Sequence, residues 1–332
     1  QMLSLLTRPS IYSSQIRACS SAFVCSMFSP TIRAAELKDL LKNSPNTTKV
    51  LDATYSAAPC EGPTQFKEKG YHGKVDVLAK LWENAEYKSE HLPNAVHFHN
   101  DVATFPCQYK KQNLYDKDVF QKYVRMLGVN QGDNVVVYSR GMGAGMLFAA
   151  RAWYLLKVYG MENVRVLEGG LEKWKCSGGA VTDQIVSPKE GNWIAKEPCK
   201  KLVATFEELF EQGNCDGVQR NLLDARPPGQ FNGSECLAFP ANGAPGFHLQ
   251  GAKNVPLPSL LADGELKSAD DIQSVLKSAG VDLDKASIAY CNAGNQACLL
   301  ALALAKAGKP FRVFNGSLVE VSRRKPELIS AK

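Results

Sequence analysis

No run of 18 apolar residues occurs in this 332-residue chain, so no membrane-spanning helix is expected. Charge of one sign is also missing as a block. The 39 Lys+Arg and 33 Asp+Glu are interspersed, and the only basic run is the short Arg323-Arg324-Lys325. That leaves no electrostatic footprint for nucleic acid, while the net charge of +6 is compatible with small anionic substrates. Cysteine is not scarce, at ten residues, but no Cys-x-x-Cys pair is present. The zinc and dithiol patterns are thereby absent, and a chain this long needs no disulfide staples; a reducing compartment fits best. Only five histidines occur. His91, His97 and His99 form a string, with His97 and His99 expected on one face of a strand, but a metal would need a further ligand. No metal or cofactor is expected. Acids are absent before Glu36, and residues 1–30 are Ser-rich with Arg8 and Arg17. That is the composition of a mitochondrial transit peptide or a disordered leader, so the expected location is mitochondrial or cytoplasmic.

What remains is the composition of a globular protein, 45% hydrophobic and 22% charged, long enough for two domains. The chain repeats itself once. The first copy runs from an amphipathic stretch near Ala34 to Lys42, through strands at Lys49–Leu51 and Val135–Ser139, to a Gly-rich loop at Gly141–Gly145. A helix from about Met146 to Tyr159 follows, then the strand Val164–Leu167 and a short helix with Trp174. The second copy places its helix at Phe206–Phe210, strands at Leu222–Asp224 and Ile288–Tyr290, a helix from about Ala297 to Lys306, and the strand Phe311–Phe314. Strands alternating with helices predict an α/β fold: two tandem domains, each a mostly parallel sheet with helices on both faces. The expected divisions are a leader at 1–30, an N-terminal domain at 31–180, a linker at 181–200 containing Pro188 and Pro198, and a C-terminal domain at 201–332. Ligands bind at the C-terminal ends of such strands.

Cys291 stands at such a strand end, before the loop Asn292-Ala293-Gly294-Asn295-Gln296 and a long Ala/Leu helix. The pattern predicts a thiol ringed by backbone N–H groups at a helix N-terminus, where negative charge is favoured. An unperturbed cysteine is roughly 3% ionised at pH 7; lowering its pKa by two units makes it roughly three-quarters ionised. The loop suits a nucleophile and an anion carried on it. Ser139 occupies the matching place in the first copy. Asp224 and Arg226, an Asp-x-Arg pair at a strand end, are expected to buttress the loop as structural support. Cys298, seven residues after Cys291, fits helix packing better than a resolving thiol. His248 occupies the turn in the second copy that His91 occupies in the first. Three Asn-x-Ser/Thr sequons at Asn46, Asn232 and Asn315 lack a secretory signal and read as accidental.

Several ordered markers together resemble the tandem rhodanese family, the thiosulfate and 3-mercaptopyruvate sulfurtransferases. They are Leu51-Asp52-Ala53, His91-Leu92-Pro93-Asn94-Ala95, Ala149-Ala150-Arg151-Ala152-Trp153, Leu167-Glu168-Gly169-Gly170-Leu171, Leu223-Asp224-Ala225-Arg226, the Cys291 loop and Asn315-Gly316-Ser317. The resemblance implies a sulfurtransferase with one active site, in the second domain. Cys291 would take a sulfane sulfur from a small anionic donor as a persulfide and pass it to a thiol or cyanide, with thioredoxin and glutathione as candidate thiols. It further implies substrate contacts from Asn292, Ala293, Gly294, Asn295, Gln296, Gln230 and His91, the last as an aid to proton transfer, with a turn-stabilising role as the other reading of His91. No nucleic-acid or membrane partner is implied.

The chain departs from the family pattern at informative places. No basic residue follows Cys291, and Ala293 stands where the mercaptopyruvate type has serine. Gln230 replaces an arginine that would pair with the donor's anionic group; a charge-assisted bond of that kind is worth roughly 1.5–3 kcal/mol. Both tryptophans often found after Gly316 are missing. Mercaptopyruvate is therefore the slightly favoured donor over thiosulfate. The alternative is a weakened relative acting as an anion-binding or persulfide-sensing module. A cysteine phosphatase would need arginine at position 297, which is alanine.

Overall fold

The computed structural model describes residues 29–57, 62–211, 220–235 and 247–328. The leader expected over 1–30 lies, up to residue 28, outside the described residues. Two five-stranded parallel sheets carry the fold. The first joins β1 (Thr31–Ile32), β2 (Thr48–Asp52), β3 (Val96–His97), β4 (Asn134–Tyr138) and β5 (Val164–Leu167) in the order β1-β5-β4-β2-β3. The second joins β6 (Val203–Ala204), β7 (Asn221–Asp224), β8 (Lys253–Asn254), β9 (Ser287–Tyr290) and β10 (Phe311–Phe314) in the order β6-β10-β9-β7-β8. The two orders superimpose position for position, so the internal repeat is a repeat of topology, with β4 matching β9.

Alternation along the central strands explains the two-sided cover. In β4, Val136 joins Leu37 of α1 (Ala34–Asn43) and Leu171 and Trp174 of α3 (Gly170–Cys176) on one face. Val135 and Val137 meet the opposite face with Ala152 and Leu155 of α2 (Leu147–Val158). In β9, Ile288 and Tyr290 pack on Phe206 and Leu209 of α4 (Phe206–Phe210) and on Leu318 and Val321 of α8 (Ser317–Arg324). Ala289 faces α7 (Asn295–Lys306) on the other side, where Ile272 and Leu276 of α6 (Ala269–Ser278) join the same core. A central strand apolar on both faces must be covered on both, which is why these segments read as continuous hydrophobic runs.

The helices that follow the two loops, α2 and α7, pack against each other. Both are apolar around most of their circumference, as helices buried on several sides must be. The Ala/Leu composition of α7 lets the backbones approach. Trp153 of α2 meets Phe311 of β10 with ring centroids 5.6 Å apart, and Lys306 of α7 forms an ion pair with the buried Glu168 carboxylate. One apolar core therefore runs through both domains.

The segment expected as a linker has no helix and no regular strand between residues 183 and 200, yet it is packed. His91 and Thr182 exchange two backbone hydrogen bonds of 2.8 Å. Trp193 is buried against Phe120, and the N–H groups of Lys196 and Cys199 donate to Tyr159 and Val158. A Cβ at Gly191 would fall 2.0 Å from the Val129 carbonyl oxygen, so only glycine permits that approach. The segment is a strap fastened to the first domain rather than a free connection.

Candidate active site

β9 ends at Tyr290, and Cys291 is the next residue. Its backbone is pinned from α8: the Cys291 N–H donates to Ser317 Oγ at 3.2 Å, and its carbonyl accepts from the Leu318 N–H at 3.1 Å. The Asn292 carbonyl accepts from the Val319 N–H at 3.0 Å. With the main chain held, the thiol turns inward. Cys291 is only 1% exposed, and its Sγ accepts a hydrogen bond from the Gly294 N–H at 3.1 Å.

Gly294 makes that contact possible. Its φ of +96° lies in the left-handed region, which glycine adopts without penalty. A Cβ there would stand 2.7 Å from the Asn315 carbonyl oxygen. Gly294 is also the N-cap of α7, so the free N–H groups of the first turn face the same end. The helix begins at Asn295, two residues earlier than periodicity suggests. Asn295 and Gln296 thus belong to its first turn, and Asn292, Ala293 and Gly294 make the loop. Of the expected ring of amides, Gly294 supplies the direct contact to sulfur. Asn292, Ala293, Asn295 and Gln296 are partly exposed around it.

The second flank comes from the strand beside β9. Arg226 and Asp224 form a wholly buried ion pair with Nη2 to Oδ2 at 2.6 Å. Nε reaches Oδ1 and Oδ2 at 2.9 and 3.1 Å, and the Arg226 N–H also donates to Oδ1. Nη2 also donates to the Phe247 carbonyl. Nη1 is left turned to the loop, 3.5 Å from Asn292 Oδ1. Gln230, in the short α5 (Pro228–Asn232), accepts from Asn292 Nδ2 at 3.0 Å. The structure therefore brings Arg226, Gln230 and Asn292 together beside Cys291, with Asn292 gripped from both sides.

His91 requires a correction. It is buried in the first domain, where its Nδ1 faces the Tyr87 carbonyl at 2.7 Å and Nε2 the Gln184 carbonyl at 3.2 Å. Both ring nitrogens are committed to backbone oxygens, so no face is left for a substrate or for proton transfer. His248 takes the equivalent role in the second domain, bonding the Phe231 carbonyl through Nδ1 at 2.8 Å and stacking on the Phe231 ring. The strand expected to carry both His97 and His99 ends at His97. Burial holds both imidazoles below their ordinary range, His99 to about 4. Among the described residues, no three His, Cys, Asp or Glu side chains are grouped to hold a metal ion.

Ser139, in the place matching Cys291, is locked by two bonds: Oγ donates to the Gly145 carbonyl at 2.8 Å and accepts from the Ala149 N–H at 3.1 Å. Cys298 is wholly buried in α7, and desolvation pushes its thiol up to about 11. It is a neutral packing residue at neutral pH. Asn315 is buried with its amide bonded at both ends, which excludes its sequon from modification in the folded chain.

Sequence reasoning missed three contributors to this site. Ser317, at φ +49°, fixes the Cys291 backbone. Asn315 crowds Gly294, and Arg151 of the first domain bonds Asn315 Oδ1 at 2.7 Å. The markers around Arg151 and Asn315 flagged the positions, but not the contact across 164 residues.

The Rhodanese-like domain model matches residues 33–176 and again 202–324. A thiosulfate sulfurtransferase of Gallus gallus is 35% identical over 73% of this chain and 81% of its own. A 3-mercaptopyruvate sulfurtransferase of Escherichia coli is 30% identical over 72% of this chain and 83% of its own. Among solved structures, the sulfur transferase subunit of yeast mitochondrial complex I is similar, with a TM-score of 0.70, 26% identity, and coverage of 92% of this chain and 99% of that one.

Proposed function

Since the chain belongs to the rhodanese family, with the domain present twice, we propose that it is a sulfurtransferase that carries sulfane sulfur on Cys291. The catalytic half spans 201–332, and the half at 31–180 completes the interface, with Ser139 at the place that matches Cys291. The observation that carries the reading is the Gly294 N–H aimed at Cys291 Sγ at 3.1 Å, beside the N-terminus of a twelve-residue helix. A donor of that kind holds negative charge on sulfur better than a neutral thiol.

The chemistry follows from that charge. The Cys291 thiolate attacks the outer sulfur of the donor. The new S–S bond forms as the donor's own bond to that sulfur breaks: C–S in 3-mercaptopyruvate, leaving the pyruvate enolate to take a proton, or S–S in thiosulfate, leaving sulfite. The persulfide anion then rests against the Gly294 amide. A thiolate or cyanide attacks the outer sulfur and releases the Cys291 thiolate again. Arg226 Nη1 is turned to the loop, 3.5 Å from Asn292 Oδ1, and is the proposed contact for the donor's anionic group. Neutral Gln230 and Ala293 favour the singly charged 3-mercaptopyruvate over dianionic thiosulfate. The similar sulfur transferase subunit of yeast mitochondrial complex I supports a mitochondrial location, with a cytoplasmic one as the alternative.

The test is steady-state thiocyanate formation from cyanide with each donor. Wild type turns over, faster with 3-mercaptopyruvate, and Cys291→Ser does not. No turnover with either donor would favour the non-catalytic, anion-binding alternative.

A further inference from the structure

Arg151 lies on α2 in the first domain and is wholly buried. Its Nη1 donates to Asn315 Oδ1 at 2.7 Å and lies 3.6 Å from Cys298 Sγ. Nη2 reaches the Gln112 carbonyl at 3.4 Å, and Nε has no partner. None of these partners is an anion, and among the described residues no carboxylate pairs with this guanidinium. The other buried arginine among the described residues is treated differently: Arg226 has Asp224, and even the partly exposed Lys306 has Glu168. A guanidinium buried without a counter-charge is costly, so its missing partner needs a source.

The place of the charge suggests the source. A Cβ on Gly294 would lie 3.5 Å from Arg151 Nη1, and the Gly294 N–H is the donor to Cys291 Sγ. The cation thus stands behind the residue that holds the thiol. Other titratable groups packed about this junction do not supply the anion. Cys298 is neutral, its thiol raised by burial. Tyr154 and Tyr159 are raised by burial as well. Asp224 is consumed by Arg226, and Glu320 has Lys110 and Arg324 beside it.

We propose that the anion matched to Arg151 is the one carried by Cys291, first as thiolate and then as persulfide. Arg151 is then a positioning residue that acts through the Gly294 and Cys298 end of α7, without touching the donor. It gives the first domain, which has Ser139 in place of a nucleophile, an electrostatic share in the site. The proposal rests on Cys291 being the sulfur carrier.

The experiment is the pH profile of Cys291 alkylation by iodoacetamide, read by mass spectrometry of the full chain. Arg151→Met should move the midpoint upward by about one pH unit and slow alkylation at pH 7 by about tenfold, while Arg151→Lys should restore most of the rate. A midpoint unmoved in Arg151→Met, whatever its melting temperature, would overturn the assignment. A second pair does not depend on that variant folding. Cys291→Asp places a fixed carboxylate where Cys291→Asn places its neutral isostere, and the Asp variant should melt higher. An Asp variant that melts at or below the Asn variant would overturn the proposal. The two readings fail separately, because a shifted alkylation midpoint in a chain that never loads sulfur would sink the sulfurtransferase function and leave Arg151 as the counter-charge.

Discussion

At the scale of single residues, the site is a thiol with little freedom and a loop gripped from outside. Cys291 has its N–H, carbonyl and Sγ all bonded, to Ser317, Leu318 and Gly294. Asn292 is held by Gln230 and faces Arg226. The cysteine at the strand end, its loop and the Asp224–Arg226 ion pair were readable from local order: an apolar strand, a cysteine, small residues, then a helix. His91 was harder to place: the Tyr87 carbonyl on its Nδ1 is four residues away, but the Gln184 carbonyl that occupies its other ring nitrogen is 93 residues away. Gln230 carries a prediction at this scale. Arginine there would lose the acceptor that holds Asn292 but add a cation facing the loop. Gln230→Arg should raise kcat/KM for an anionic donor by about tenfold, in line with a charge-assisted bond. Steady-state kinetics with 3-mercaptopyruvate and thiosulfate would read this, and unchanged constants would place residue 230 outside donor recognition.

At the scale of elements, the decisive junction is β9–loop–α7. Strand and helix were both legible, since a four-residue apolar strand and an Ala/Leu helix have distinct lengths and patterns. The start of α7 was set two residues late because Asn295 and Gln296 read as loop composition, whereas the left-handed Gly294 lets the helix begin directly after it. That glycine is a sharp test. An alanine would combine a strained φ with a 2.7 Å approach to the Asn315 oxygen. Gly294→Ala should destabilise the fold by about 1–3 kcal/mol and lower kcat/KM by at least about tenfold as the amide leaves the sulfur. Denaturant melts and kinetics together would check it; a stable variant of full activity would show that the Gly294 amide does not matter to the chemistry.

At the scale of the whole molecule, duplication explains the architecture. Two sheets of the same strand order are joined through α2 and α7, the helices that follow the two equivalent loops. The repeat was visible in the ordered markers, and with it the parallel sheets. The interface was not, because it depends on which helix faces pack across the boundary, and neither helix has a strongly one-sided apolar pattern. The strap between the domains was equally hidden: prolines and absent periodicity mark irregular backbone, but not its docking on Val129 and Tyr159. The second domain thus holds the proposed nucleophile, Cys291, while the first contributes the interface and the buried Arg151 cation.

Intact-mass spectrometry after incubation with 3-mercaptopyruvate or thiosulfate reads out directly whether Cys291 carries sulfur. The wild-type chain should gain one sulfur atom, lost on adding cyanide, and Cys291→Ser should gain none. A wild-type chain that gains no sulfur from either donor, or a Cys291→Ser chain that still does, would contradict that role for Cys291.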